Sequence, residues 1–218
     1  MRKQMKVWLQ LSVAVLLVLS LAACGGETNQ SGGNNASEST GEQQTNSGNN
    51  SEAADNNEAE EVVPEGFVTY TDDTHDIYVY HPEDWTVKEV DETTFGFVSP
   101  KASEEDPFME NVGIQIIDLS GHSITLEEYG QLLIDQATSD VADFELLSSE
   151  LVPGDGDYVD SYYIEYDGTQ NGLPMAYDTT LMIDGDRGFI LTYTAEQDNF
   201  DQYVDIANQI MDSFTFYN

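Results

Sequence analysis

The chain has 218 residues, of which 42 are Asp or Glu and six are Lys or Arg, so its formal net charge is −36. A surface this acidic repels phosphate groups, which excludes nucleic-acid binding and docking of a folded domain onto anionic lipid headgroups. The charge indicates either adaptation to saline or alkaline surroundings or a surface that binds cations.

The N-terminal residues have the order of a bacterial export signal. Arg2, Lys3 and Lys6 are basic, residues 8–23 are almost wholly apolar, and the apolar run ends in small residues. This run is shorter than the roughly 20 residues that a membrane-spanning helix needs. We therefore expect residues 1–23 to be a signal peptide.

The segment Leu21-Ala22-Ala23-Cys24 resembles the lipobox of bacterial lipoproteins. In those proteins the signal peptide is cleaved before the cysteine, whose sulfur carries a diacylglyceryl group. The resemblance implies cleavage between Ala23 and Cys24 and lipidation of Cys24, the only cysteine of the chain. Acyl chains such as palmitate would then hold the protein on the extracytoplasmic face of the cell membrane. An uncleaved anchor with an incidental cysteine is the alternative.

Residues 24–62 are predicted to be an acidic tether. Gly25–Glu61 consists of Gly, Asn, Ser, Thr, Gln, Ala and acidic residues, with no aromatic or branched aliphatic side chain to form a core. We expect this segment to be disordered, with a root-mean-square span of roughly 35 Å. The composition changes at Val62-Val63-Pro64, and residues 63–218 have the length of one domain.

The first half of this domain is predicted to contain strands and one helix. Alternating apolar residues predict strands at Phe67–Thr71, Asp76–Tyr80, Thr94–Ser99 and Asn111–Asp118. Thr125 and Glu128 form a capping box, so a helix should begin there and end near Thr138. Its apolar residues at helical spacing are Leu126, Tyr129, Leu132 and Leu133.

The second half is predicted to be a meander followed by a helix. Strands are expected at Phe144–Val152, Tyr158–Tyr166, Met175–Ile183 and Gly188–Thr194, with a turn at Asp167–Gly172 and a tight hairpin at Asp184-Gly185-Asp186. A helix over Asp198–Asp212 and an edge strand at Phe214–Phe216 complete the chain. Hairpins with two segregated helices indicate an α+β fold with a mainly antiparallel sheet.

Three segments resemble PsbP-like domains. Ile77–Trp85 is a strand that ends in a Pro-x-x-Trp corner, Gly188–Ala195 looks like the last hairpin strand, and the final helix ends in Ser213-Phe214. The resemblance covers Phe67–Tyr217 and implies an α/β/α sandwich that mostly serves protein binding, not catalysis. The functional residues of the oxygen-evolving members have no match here. Trp85 is expected to be buried at the corner.

The sequence has no motif of a known catalytic class. It lacks a His-Glu-x-x-His zinc motif, a Gly-x-Ser-x-Gly elbow and the phosphate-binding glycine motifs. His75, His81 and His122 are predicted to be surface or packing residues. A triad of His122, Ser123 and a distant Asp is a weak alternative. We expect no cofactor and no enzymatic activity.

Calcium is the one ligand that the acidic residues favour, because Ca²⁺ prefers clustered carboxylates on tight turns. Asp155, Asp157 and Asp160 form the best local candidate, although an EF-hand loop is absent. Weaker candidates are turns at Asp72, Asp73 and Asp76 and at Asp184 and Asp186.

Tyr158, Tyr162 and Tyr166 share one face of a predicted strand. They form either an aromatic binding platform or, by the stronger argument, part of the core under a helix.

These patterns favour a membrane-anchored extracytoplasmic lipoprotein whose PsbP-like domain is a non-enzymatic protein-binding or accessory module for an unknown envelope protein. The alternative is a low-affinity solute- or calcium-binding surface lipoprotein.

Overall fold

The computed structural model describes residues 63–155 and 159–216. Within these residues the chain forms ten strands and two helices. The strands of the first half are β1 (Phe67–Asp72), β2 (Ile77–Pro82), β3 (Thr86–Asp91), β4 (Thr94–Val98) and β5 (Asn111–Asp118). The later elements are α1 (Leu126–Asp140), β6 (Ala142–Val152), β7 (Ser161–Gln170), β8 (Leu173–Asp184), β9 (Arg187–Glu196), α2 (Phe200–Asp212) and β10 (Thr215–Phe216).

Several sequence predictions fall outside the described residues: the signal peptide, Cys24, the tether, Asp157 and Tyr158. In the two described ranges, no helix has the length and apolar character needed to cross a membrane.

The described strands pair in antiparallel fashion and form two sheets. The larger sheet has seven strands in the order β3-β4-β5-β9-β8-β7-β6, and the smaller has three in the order β1-β2-β10. Asn171 and Gly172, which join β7 to β8, both have positive φ, as a type I′ hairpin turn requires. Short hairpins connect three neighbouring pairs in the large sheet, β3-β4, β7-β8 and β8-β9.

The two helices cover opposite faces of the large sheet. Alternation along β9 shows this, because Phe189 and Leu191 enter the core shared with α2 and the small sheet, whereas Ile190 enters the core shared with α1. We refer to these as the α2 face and the α1 face of the sheet. The predicted α+β fold, an α/β/α sandwich with two main helices, is confirmed.

Helix α1 begins as the sequence predicts. The Thr125 hydroxyl accepts a hydrogen bond from the Glu128 amide at 3.2 Å, and the Glu128 carboxylate accepts one from the Thr125 amide at 3.1 Å. Of the four apolar residues at helical spacing, Leu132 is 42% exposed. Leu132 lies roughly 140° around the helix from the buried Ala137, so it points away from the sheet.

Three strand predictions need correction. Strand β3 was missed, β7 continues to Gln170 where a turn was predicted from Asp167, and the sequence expected one sheet instead of two. The predicted edge strand near Phe216 exists, but β10 pairs with β2 in the small sheet. Only the separate small sheet depends on pairing between distant strands, β10 and β2, which local sequence pattern does not report. β3 and the end of β7 pair with the strands next to them in the chain.

The Pro82–Trp85 corner packs as expected. The Trp85 amide donates to the Pro82 carbonyl at 3.0 Å, and the indole is only 4% exposed. Its ring meets Tyr203 of α2 edge-on, with ring centroids 6.3 Å apart. Trp85 therefore joins the end of β2 to helix α2 within the core.

Candidate functional site

Arg187 links the two acidic turns that were the weaker calcium candidates. Its guanidinium donates to the His75 carbonyl at 2.7 Å and to the Asp184 carboxylate at 3.0 Å. The same group lies over the rings of Phe189 and Phe216, at 5.3 and 5.9 Å from their centroids. The structure thus brings the turns after β1 and β8 together, with an arginine supplying positive charge between them.

The three histidines occupy separate environments. His75 Nδ1 lies 2.6 Å from an Asp72 carboxylate oxygen. Burial tends to raise the pKa of Asp72, but hydrogen bonds from the His75 side chain and the Thr74 amide outweigh it and hold that pKa below its usual value.

His81 is buried and stacks on Phe97 with ring centroids 4.6 Å apart. Burial lowers its pKa, which a hydrogen bond with the Pro82 carbonyl opposes. His122 and Ser123 are exposed in the loop after β5. His81 is therefore a packing residue, as one of the two predicted roles for the histidines requires. His122 and Ser123 lie at the surface.

The best calcium candidate lies beside a gap in the described residues. Asp155 and Asp160 are exposed on either side of residues 156–158, and the Asp160 carboxylate accepts a hydrogen bond from the Gly154 amide at 2.9 Å. Among the residues that the structure describes, no group of three or more His, Cys, Asp or Glu is arranged to hold a metal ion. Asp157 is outside them, so the calcium hypothesis stays a prediction.

The tyrosines on β7 belong to the core under α1. Tyr166 is 2% exposed and stacks on Tyr177 with centroids 4.6 Å apart. Tyr162 packs against α1 at Gly130, where a Cβ atom would overlap the tyrosine ring. The core interpretation is therefore correct for these two residues, which are not a surface platform.

An acidic cleft of about 370 Å³ opens on the α2 face of the sheet. Glu165 and Asp167 of β7 and Asp201 of α2 contribute three carboxylates to its lining. Gln197 and Phe200 complete the wall towards the start of α2. No local pattern in the sequence points to this cleft.

Asp178 lies on the same face, beside the cleft. It is directly opposite Glu165 in the register of β7 and β8, and it is 7% exposed. The Tyr163 hydroxyl donates to it, while its Oδ1 atom has no hydrogen-bond partner among the described residues. Burial raises the pKa of Asp178; the bond from Tyr163 opposes this shift and the charge of Glu165 adds to it.

Strand β6 carries the densest group of exposed apolar side chains in the described part of the chain. Leu146, Leu147, Leu151 and Val152 are each between 40 and 49% exposed. β6 is an edge of the seven-stranded sheet, and its one described neighbour is β7. An edge strand of 11 residues with exposed leucines is unusual, because such edges attract other strands.

The two faces of β6 differ in chemistry. Leu146 and Leu151 are paired in register with Tyr166 and Tyr162, which places them on the α1 face. Glu145 and Glu150 are paired with Asp167 and Tyr163, which places them on the α2 face beside the acidic cleft. Ser149 is also on the α1 face, and Ser148 and Val152 are also on the α2 face. The leucines that pair in register are therefore on the α1 face, and the glutamates are on the α2 face. We refer to strand β6 with the side chains of Glu145, Leu146, Glu150 and Leu151 as the β6 edge.

Residues 65–216 match the family model of PsbP. The matched range contains all ten described strands and both described helices. The chain belongs to the PsbP family. Proteins of this family are generally not enzymes. No curated protein sequence matches the chain.

Solved structures with this fold come from several bacteria. This PsbP-family chain resembles CyanoP of Synechocystis sp. PCC 6803 with a TM-score of 0.54 at 16% identity, over 70% of this chain and 93% of that one. It resembles PA94 of Pseudomonas aeruginosa, a protein of unknown function, with a TM-score of 0.50 at 13% identity, over 70% and 98%. LpqN of Mycobacterium tuberculosis, involved in cell envelope biogenesis, has a TM-score of 0.49 at 19% identity, over 65% and 83%. At these identities the similarities to CyanoP and PA94 show the fold alone.

Asp178→Asn should stabilise this PsbP-family domain at neutral pH. An acid whose pKa is raised by folding binds its proton more tightly in the folded state than in the unfolded state. The folded protein therefore loses stability as the pH rises from the unfolded pKa of about 3.9 through the higher folded pKa. We expect the variant to raise the free energy of unfolding by about 1 kcal/mol at pH 7, the scale of one uncompensated buried polar group. The gain should disappear towards pH 3.

Urea denaturation at both pH values measures this effect. Asp205→Asn is the matched control, because it removes the same charge from an exposed position on α2. Equal stabilisation by the two variants would mean that net charge, not the burial of Asp178, is responsible.

Proposed function

We propose that this protein is a membrane-anchored extracytoplasmic lipoprotein whose PsbP-family domain is a non-enzymatic protein-binding module of the cell envelope. Its anchor is the acylated Cys24, released from the signal peptide by cleavage after Ala23. The tether of residues 25–62 gives the domain a reach of roughly 35 Å from the membrane surface. No catalytic step is part of this function.

The exposed leucines of the β6 edge carry the proposal. Leu146 and Leu151 continue the apolar surface of the core under α1 outward to the last strand of the sheet, and each is about 40% exposed. Four exposed apolar side chains within residues 146–152 need a reason on a chain of this charge, since isolated exposed leucines are ordinary but clustered ones mark interaction surfaces. A protein partner that covers these side chains supplies one.

Photocrosslinking in living cells tests the proposal with the full chain. Leu147 on β6 is replaced by benzoylphenylalanine, and the matched control places the same residue at Val90 on β3, the opposite edge of the same sheet. The two positions are comparably exposed, at 49 and 54%. We expect a discrete protein adduct in the membrane fraction from position 147 and none from position 90.

A Cys24→Ser change in the same cells separates anchoring from binding. Without the acylated sulfur, the protein should lose lipid labelling, accumulate as a precursor and lose its adduct with an envelope partner. Normal processing of the variant would contradict the lipoprotein assignment. If scanning the crosslinker over the exposed positions of the domain gives no discrete adduct anywhere, the protein-binding function is wrong.

A further inference from the structure

From the chemistry of the β6 edge we infer the class of partner: an extended segment that alternates basic and apolar residues and adds to the large sheet as an eighth strand. This inference rests on the proposed function and adds to it the mode of binding and the character of the bound segment.

The backbone of β6 supplies the template. In an antiparallel sheet, about half of the amide and carbonyl groups of an edge strand point away from their neighbour and remain available to another strand. β6 has 11 residues, and it is paired with β7 from Ala142 to Val152. The pairing shifts between Ala142 and Glu145 and between Leu146 and Ser148, which leaves a regular run from Ser148 to Val152 for strand addition.

The side chains of β6 specify what the added strand should carry. Directly opposed residues of neighbouring strands have Cβ atoms about 5 Å apart, so like charges there repel and opposite charges attract. On the α1 face this run presents Ser149 and Leu151, and Leu151 favours an apolar side chain on the new strand. On the α2 face the run presents Ser148, Glu150 and Val152. The charge of Glu150, with Glu165 one strand further in, favours lysine or arginine opposite it.

A second copy of this chain fits the edge poorly. Two β6 strands paired antiparallel in one continuous sheet keep corresponding faces on the same side, so glutamates of one copy face glutamates of the other. Each domain over residues 63–218 also has 34 acidic and only three basic residues, so two copies repel as whole bodies. The same acids that block self-pairing attract a basic strand, which is why we commit to that occupant.

A synthetic peptide that alternates lysine with valine is the probe, and the full chain is the receptor. We expect saturable binding, with slowed hydrogen exchange of backbone amides confined to β6. Two control peptides define the mode of binding. One has glutamate in place of lysine, and the other keeps the lysines but is N-methylated at alternate residues, so that one edge has no amide donors. Neither control should protect β6.

Two matched pairs of substitutions locate the contact. Glu145→Gln with Glu150→Gln should weaken binding roughly fivefold, whereas Glu104→Gln with Glu105→Gln, which removes the same charge from an exposed loop, should not. Leu151→Thr keeps β propensity and should weaken binding, whereas Val90→Thr on the other edge should leave it unchanged.

Other outcomes overturn the inference. Equal binding of the N-methylated peptide would show charge adsorption without strand pairing, and protection at β3 or around the cleft would place the contact elsewhere. Absence of binding, or self-association through β6, would also reject it. Because the crosslinking at Leu147 detects any protein contact, an adduct there without peptide binding means that the protein-binding function holds and strand addition does not.

Discussion

Replacing Trp85 with alanine is expected to lower the free energy of unfolding by about 3–5 kcal/mol. The indole is 4% exposed and belongs to the core between α2 and the sheet, where it meets Tyr203 edge-on. Removing it leaves a cavity that the corner at Pro82 cannot easily fill, because the turn is fixed by the hydrogen bond between the Trp85 amide and the Pro82 carbonyl. Urea denaturation followed by circular dichroism measures the loss.

Val90→Ala is the control for this experiment. Val90 is 54% exposed, so its truncation should cost less than about 0.5 kcal/mol. Trp85→Phe should fall between the two, because an aromatic ring keeps part of the contact with Tyr203. A loss of less than about 1 kcal/mol for Trp85→Ala would contradict the buried position of this residue.

The melting temperature of the protein is expected to rise by more than about 5 °C between 0.01 and 1 M NaCl. Residues 63–218 contain 34 acids and three bases, so most carboxylates have no basic side chain to pair with. Folding brings these charges together, and the Debye length falls from about 30 Å at 0.01 M to about 3 Å at 1 M. Screening should therefore stabilise the folded state more than the expanded chain, and KCl should act as NaCl does.

Calcium distinguishes screening from a specific site. In 1 M NaCl, a site at Asp155, Asp157 and Asp160 would give further, saturable stabilisation at millimolar Ca²⁺ or below. Asp155→Asn with Asp160→Asn should remove that increment, whereas Glu104→Gln with Glu105→Gln should not. A melting temperature that changes with neither NaCl nor Ca²⁺ would reject both explanations of the acidic surface.

Local sequence signals predicted the parts of the fold that depend on local chemistry. The capping box at Thr125, the corner at Trp85 and the hairpin at Gly185 all appear where expected, because each is decided by hydrogen bonds or backbone preferences within a few residues. Strand β3 was missed for an equally physical reason. Its two valines, Val87 and Val90, are three residues apart, and a register shift between Glu89 and Asp91 breaks the alternation that marks a strand.

The candidate sites were harder to predict than the fold. Glu165 and Asp167 alternate with buried residues, which is the pattern of any half-exposed strand. Asp201 lines the same cleft only because of the way helix α2 packs on the sheet. The exposure of the β6 leucines could not be predicted, because the sequence does not reveal that β6 lies at an edge of the sheet. The position of a strand within its sheet was therefore the missing information.

The three-stranded sheet has a consequence for the timing of folding during synthesis. β10 pairs with β2, and Phe214 and Phe216 pack against Phe189 with ring centroids 5.2 and 5.5 Å apart. A nascent chain thus cannot close this core until residues 214–216 have been made, long after β2 has been synthesised. The end of translation therefore sets the earliest time at which this core can be complete.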